Sequence, residues 1–355
     1  MVFACHFVVR FTARRCMALL SAAILIAACF GSVGQASAGP LRHNPAVVSA
    51  IDAELAAGCG DERLLAVLRG LRWCVVFGDD DANFDFTFAN YVTMLDELTL
   101  IRPHPAVARI VHALILKEFE RALPQLPKLF AADEAGYEDF LSILPVAYHH
   151  QAPLAPLKAF ADRHFADITP PDRLSEFREA AGDRDYDLLT DLVVGAAFVD
   201  MAYRWGVDKD FRLPPNHYST ILAECAGIPF EAKFEDDLYH EQNYYATHVL
   251  LALNHYGQRP LTPSPTGDRV FQYLAGQYDT VRHRVGDLDL ICEYLYCFRQ
   301  FAPAGIELIE EGERHILSLQ RTDGSWGTRE DFEGDPYDRL HPTWTAITLL
   351  VQGTE

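Results

Sequence analysis

Residues 237–257 read DLYHEQNYYATHVLLALNHYG, an apolar rhythm of three and four residues carrying one polar face. That period argues helix. Tyr256-Gly257 closes it, an aromatic followed by the glycine expected just past a helix C-terminus. With His240 taken as zero and roughly 100° per residue, Tyr244 falls at about 40°, Asp237 and His255 near 60°, His248 at about 80° and Glu241 at about 100°. One face is expected to gather three histidines, two carboxylates and a tyrosine.

The same rhythm extends outward over almost the whole chain, and period-two runs bounded by turn signals are scarce. Helices are expected near 45–57, 61–73, 87–100, 104–131, 135–147, 154–165, 183–205, 215–227, 236–256, 266–282, 286–301, 304–320 and 342–352, giving an all-α fold. Pro170-Pro171, Pro214-Pro215, Gly257 with Pro260, and Pro303 supply breaks between them. Gly206, Gly257, Gly305 and Gly353 lie 51, 48 and 48 residues apart, with two helices per interval. Such a period reads as stacked helical hairpins that bury their faces against their neighbours.

Ile316-Leu317-Ser318-Leu319-Gln320, followed by Asp323-Gly324-Ser325-Trp326-Gly327, resembles the repeat of squalene-cyclase and protein-prenyltransferase folds. In those folds an outer helix ends in glutamine and a Gly-x-Trp turn leads to the next inner helix. His341-Pro342-Thr343-Trp344-Thr345-Ala346 is similar to the start of such an inner helix. The resemblance implies an α/α-toroid over residues 181–355, its inner helices lining a central cavity, preceded by an N-terminal helical region at 39–180.

Residues 1–38 contain Arg10, Arg14 and Arg15 but no acid, then an apolar run from Met17 to Phe30 and Ala36-Ser37-Ala38. Basic start, short apolar stretch and small-residue site are the order of a secretory signal peptide. Ile26-Ala27-Ala28-Cys29 resembles a lipobox, which would make Cys29 a lipidated anchor, and Arg14-Arg15 resembles a twin-arginine signal. The expected location is periplasmic or secreted, with membrane contact only through lipidation at Cys29. Removal of residues 1–38 takes three of the 30 basic residues and none of the 50 acidic ones, lowering the charge from −20 to −23. Such a surface repels nucleic acid, anionic lipid and polyanionic glycans and favours a neutral or cationic small-molecule or peptide substrate. Cys59, Cys74, Cys225, Cys292 and Cys297 would remain, an odd number and no disulfide framework, with a Cys59–Cys74 bridge open.

Imidazoles and carboxylates on one helical face suit a divalent transition metal, zinc, copper or iron. His240 and His248 are eight residues apart, about 12 Å of helix rise, so further ligands must come from neighbouring helices. The expected ligands are His240, His248 and His341, with Glu241 or Tyr244 moving a proton. In prenyltransferases a zinc-ligand histidine begins an inner helix, and Asp338-Arg339-Leu340-His341-Pro342-Thr343 resembles that position. Their Asp-x-Cys ligand pair has no equivalent here, although Asp289, Cys292 and Glu293 share the intervening helix.

These residues point to an exported, metal-dependent enzyme, hydrolytic or oxidative. The competing classes are a periplasmic glycan lyase or hydrolase using His/Tyr acid–base chemistry, a terpenoid-cyclase-like enzyme, and a non-catalytic ligand-binding lipoprotein. A polar cavity lining without any ion is the structural alternative. Gly78–Asp85 reads as an acidic cap for the following helix, and Asp183, Asp185, Asp187 and Asp191 as dipole-compensating acids. His149-His150 receives no role, because adjacent residues do not share one face of a helix. No phosphate loop, serine-hydrolase elbow, HExxH or paired CxxC occurs.

Overall fold

The computed structural model describes residues 42–58, 60–101, 104–259, 264–301 and 306–351. The signal segment with Arg14-Arg15 and Cys29, together with Cys59, Gly305 and Gly353, lies outside the described residues. Cys74, Cys225, Cys292 and Cys297 are buried free thiols.

The described residues are all-helical, with no strand among them. The principal helices are α1 (Pro45–Ala57), α2 (Glu62–Gly78), α3 (Asp81–Leu100), α4 (Pro105–Ala122), α5 (Glu134–His149), α6 (Leu154–His164), α7 (Arg173–Asp183), α8 (Tyr186–Trp205), α9 (Tyr218–Glu224), α10 (Tyr239–Leu253), α11 (Pro265–Thr280), α12 (Leu288–Phe301), α13 (Ile306–Ser318) and α14 (Pro336–Val351). Aspartate begins many of them. Asp61, Asp80, Asp133, Asp172 and Asp185 each accept a backbone N–H from the first turn of α2, α3, α5, α7 and α8.

Three expected boundaries move for local reasons. The 104–131 helix breaks at Leu123-Pro124, where proline removes a donor and a 3₁₀ turn intervenes. α3 begins at Asp81, six residues before the expected start, because Asp80 caps it while Asp79 accepts the backbone N–H groups of Arg42, His43 and Asn44. α7 was absent from the sequence expectation. It buries only Phe177 and Ala180, so its apolar period is faint.

Six helices form a closed circuit of neighbours: α3 packs on α5, α5 on α8, α8 on α10, α10 on α12, α12 on α14, and α14 back on α3. Within the last three, burial has almost no seam. Gln242–Ala252, Leu288–Phe298 and Leu340–Val351 are each buried without a break. A helix buried on every side lies inside a protein rather than on it. Most of the remaining helices pack against this circuit, with α2 on α14, α4 on α3, α7 and α9 on α8, α11 on α10 and α12, and α13 on α12, while α1 packs outside them on α2 and α4.

The Gln320–Trp326 segment fastens the C-terminal helices to the N-terminal ones. Gln320 Nε2 donates to the carbonyls of Ala66 (2.9 Å) and Gly324 (3.0 Å). The fully buried Trp326 donates Nε1–H to the Ile316 carbonyl (2.8 Å), and its backbone exchanges hydrogen bonds with the Thr343 hydroxyl. Gly324 has φ +95°, and a Cβ there would meet the Arg69 carbonyl oxygen at 2.5 Å. Only glycine fits.

Candidate metal centre

α11 runs into a short π-helical turn, Val281–Val285, and Gly286 at φ +70° turns the chain into α12. Asp287 then caps α12, its Oδ1 accepting the N–H groups of Asp289 (3.0 Å) and Leu290 (3.3 Å). Its other oxygen faces α10, 2.8 Å from His240 Nε2 and 3.2 Å from the Tyr244 hydroxyl. One carboxylate thus starts a helix and anchors two side chains from its neighbour.

Asp289 and Glu293 lie one helical turn apart and share a face of α12. Asp289 Oδ2 accepts the Tyr244 hydroxyl (2.7 Å) and pairs with His341 Nδ1 of α14 (2.7 Å). Glu293 Oε2 accepts the Thr247 hydroxyl (2.6 Å) and stands 3.7 Å from His248 Nδ1. Asp289, Glu293 and His341 are all buried, and each offers one ligand atom within 4.8 Å of the others.

Among the described residues, Asp289 Oδ1 and His341 Nε2 have no hydrogen-bond partner. Buried polar atoms are nearly always paired, so each orphan marks a place where something else belongs. The tautomers follow from the bonds. His341 Nδ1 faces a carboxylate and His248 Nδ1 faces the Tyr244 carbonyl (3.0 Å), so both Nδ1 atoms donate and both Nε2 atoms present a lone pair when the ring is neutral.

Electrostatics separate the two acids. Burial would raise the Asp289 carboxyl, but the adjacent His341 outweighs it and holds the group well below the usual carboxylate range. Glu293 is pushed up to about 8 by burial, with the Asp289 charge adding to the rise. Glu97 of α3 is also driven well above its ordinary value by burial and by Glu293. Burial pushes His248 well below its ordinary value, keeping the imidazole neutral.

A cavity of about 170 Å³ adjoins the group, and His248, Tyr337, Trp344 and Glu97 are part of its wall. Its lining also includes Leu192, Val199 and Met201. The structure therefore brings His341, His248 and Tyr244 together around Asp289 and Glu293. His240 stands apart at the solvent end of α10 on Asp287, its side chain 41% exposed, and Glu241 is partly buried outside the group. Asp237 and His255 do not join the polar face as the helical wheel had them. α10 spans only Tyr239–Leu253; His255 follows at φ +52° and turns to Asp200 of α8 (2.6 Å).

Asp287 was missed by sequence reasoning, although Gly286-Asp287 before an apolar run is a helix-start signature. A second group that could hold a metal, Asp96, His149 and His150, was also missed. Cys292, between Asp289 and Glu293, is a buried thiol raised well above its ordinary value by burial and is not part of the group. No helix among the described residues is long and apolar enough to cross a membrane. No protein family, no curated protein and no solved structure matches the chain.

Proposed function

We propose that the chain is an exported, metal-dependent enzyme whose centre lies beside the central cavity of an α/α-toroid, with the six-helix circuit as its inner ring. The supporting observation is the Asp289, Glu293 and His341 triplet, buried between two helices of that circuit, with Asp289 Oδ1 and His341 Nε2 unpartnered among the described residues. Two carboxylates and one imidazole suit zinc or iron better than copper. A bound divalent cation would supply Lewis-acid polarisation of the substrate or activation of water.

The chain's own residues do the rest. Tyr244 and Asp287 fix Asp289 and the α10–α12 spacing, and Asp289 fixes the His341 tautomer. His248, neutral and on the cavity wall, accepts a proton through Nε2, while Glu97, protonated by its burial, can return one. This inventory fits hydrolysis of a small, neutral or cationic, partly apolar substrate. The His341–Asp289 pair also supports a second reading, acid–base catalysis without any ion, because Nε2 of an imidazole so oriented is a ready base.

Elemental analysis separates the two. The full chain purified without chelator and reloaded with zinc, iron, copper or manganese is expected to lose one equivalent on His341→Ala and to keep it on His248→Ala. If His341→Ala binds as much metal as the wild type, the metal reading fails and the acid–base pair remains.

A further inference from the structure

α5 ends at His149, and the chain then leaves the helix: His150 has φ −91°, ψ 2°, and Gln151 has φ +58°. This exit corrects the expectation that adjacent histidines cannot serve one point. His149 Nδ1 and His150 Nε2 both reach the same oxygen of Asp96 on α3, at 2.5 and 2.9 Å. His112 of α4 joins from the other side, its Nδ1 2.8 Å from His150 Nδ1 and its ring stacked on that of His150.

Three imidazoles and one carboxylate from three helices thus meet at one place, distinct from the Asp289 group. Unlike that group, this one opens outward. His112 is exposed and His149 is partly exposed, while Asp96 and His150 are buried. The oxygen and nitrogen atoms already sit at separations close to those of donors around a single small cation. The C-terminal end of α5, where the histidines lie, also favours positive charge.

We infer that Asp96, His149 and His150, with His112 beside them, form a second transition-metal site, open to solvent, for an imidazole-preferring divalent ion such as zinc, nickel or copper. His112 orients His150 and supplies a further donor at the entrance. Trp205 gives the site a reporter, because its ring lies against His149 with centroids 5.0 Å apart.

The test is a titration of the full chain with Ni²⁺ and Zn²⁺, followed by calorimetry and by tryptophan fluorescence. Ni²⁺ is expected to quench fluorescence in the wild type and in His341→Ala alike, and the quenching is expected to disappear in Trp205→Phe. His149→Ala with His150→Gln should abolish one equivalent, whereas His112→Ala, at an exposed position, should weaken it about 10-fold. Unchanged binding in both the double variant and His112→Ala overturns the inference, as does quenching that survives in Trp205→Phe. A failure here leaves the His341 result untouched, since the two groups share no residue.

Discussion

The Asp289 group joins two carboxylates to one imidazole and the Asp96 group one carboxylate to two imidazoles, and a buried acid of each, Glu293 and Asp96, moves in the opposite direction. Asp96 and Glu293 are both fully buried carboxylates, and burial pushes each upward. Asp96 nevertheless ends below its ordinary value, because two imidazoles point at one of its oxygens. Glu293 is pushed up to about 8, because burial and the neighbouring Asp289 charge outweigh the lowering by the Thr247 hydroxyl. Partner chemistry, not depth, decides which carboxylate stays ionised.

The comparison breaks most sharply at His341. Its truncation to alanine leaves the buried Asp289 carboxylate without its imidazole partner, and a loss of about 3–5 kcal/mol is expected in urea unfolding at neutral pH. Asp289→Asn, which can still accept the His341 N–H, should lose less. Equal stability of wild type and His341→Ala would show that the pair does not hold the inner group together.

A smaller effect should appear at Glu293. Its folded pKa is raised, so between the unfolded value near 4.3 and about 8 the folded state binds more protons, and stability falls as pH rises across that window. Glu293→Gln should therefore melt above the metal-free wild type at pH 8, and the gap should close towards pH 4. Saturating metal should reverse the order at pH 8. If the gap is independent of pH, Glu293 is not the titrating acid.

The edge group has the same pH slope, but its substitution acts in the opposite direction and with a smaller size. His149 is raised by its bond to Asp96, so its contribution is full below about 6.5 and is lost as pH climbs through the folded value. His149→Gln should destabilise at pH 6 and be close to neutral at pH 9, read from melting curves. The smallest expected effect is at Trp205, where phenylalanine should leave melting within about 0.5 kcal/mol of wild type while removing the fluorescence response to Ni²⁺.

The sequence was most informative where period and burial agree. α10 was recognised with Tyr244 and His248 on one face, and Asp289 and Glu293 were visible only as sharing, with Cys292, the helix that precedes His341. What it could not reveal depends on where helices stop. His255 left the wheel because α10 ends at Leu253, and His149-His150 became a site because α5 ends between them. Helical projection assumes continuation, which failed at His255; the histidine pair already lay beyond the expected helix at 135–147 and was dismissed on a helical argument that did not apply to it. α7 escaped for the reverse reason, being too polar to display a period.

The clasp from Gln320 to Ala66 joins residues 254 positions apart, and α14 enters the circuit between α12 and α3. During synthesis α14 emerges after the thirteen other principal helices described, yet Leu340–Val351 is buried without a break in the folded protein. Until it docks, the facing sides of α2, α3 and α12 have no cover, and the incomplete chain exposes a long apolar gap to any chaperone or aggregating neighbour. Such distant pairing also slows folding. The docking of α14 therefore sets the time at which this circuit becomes safe from its own surface.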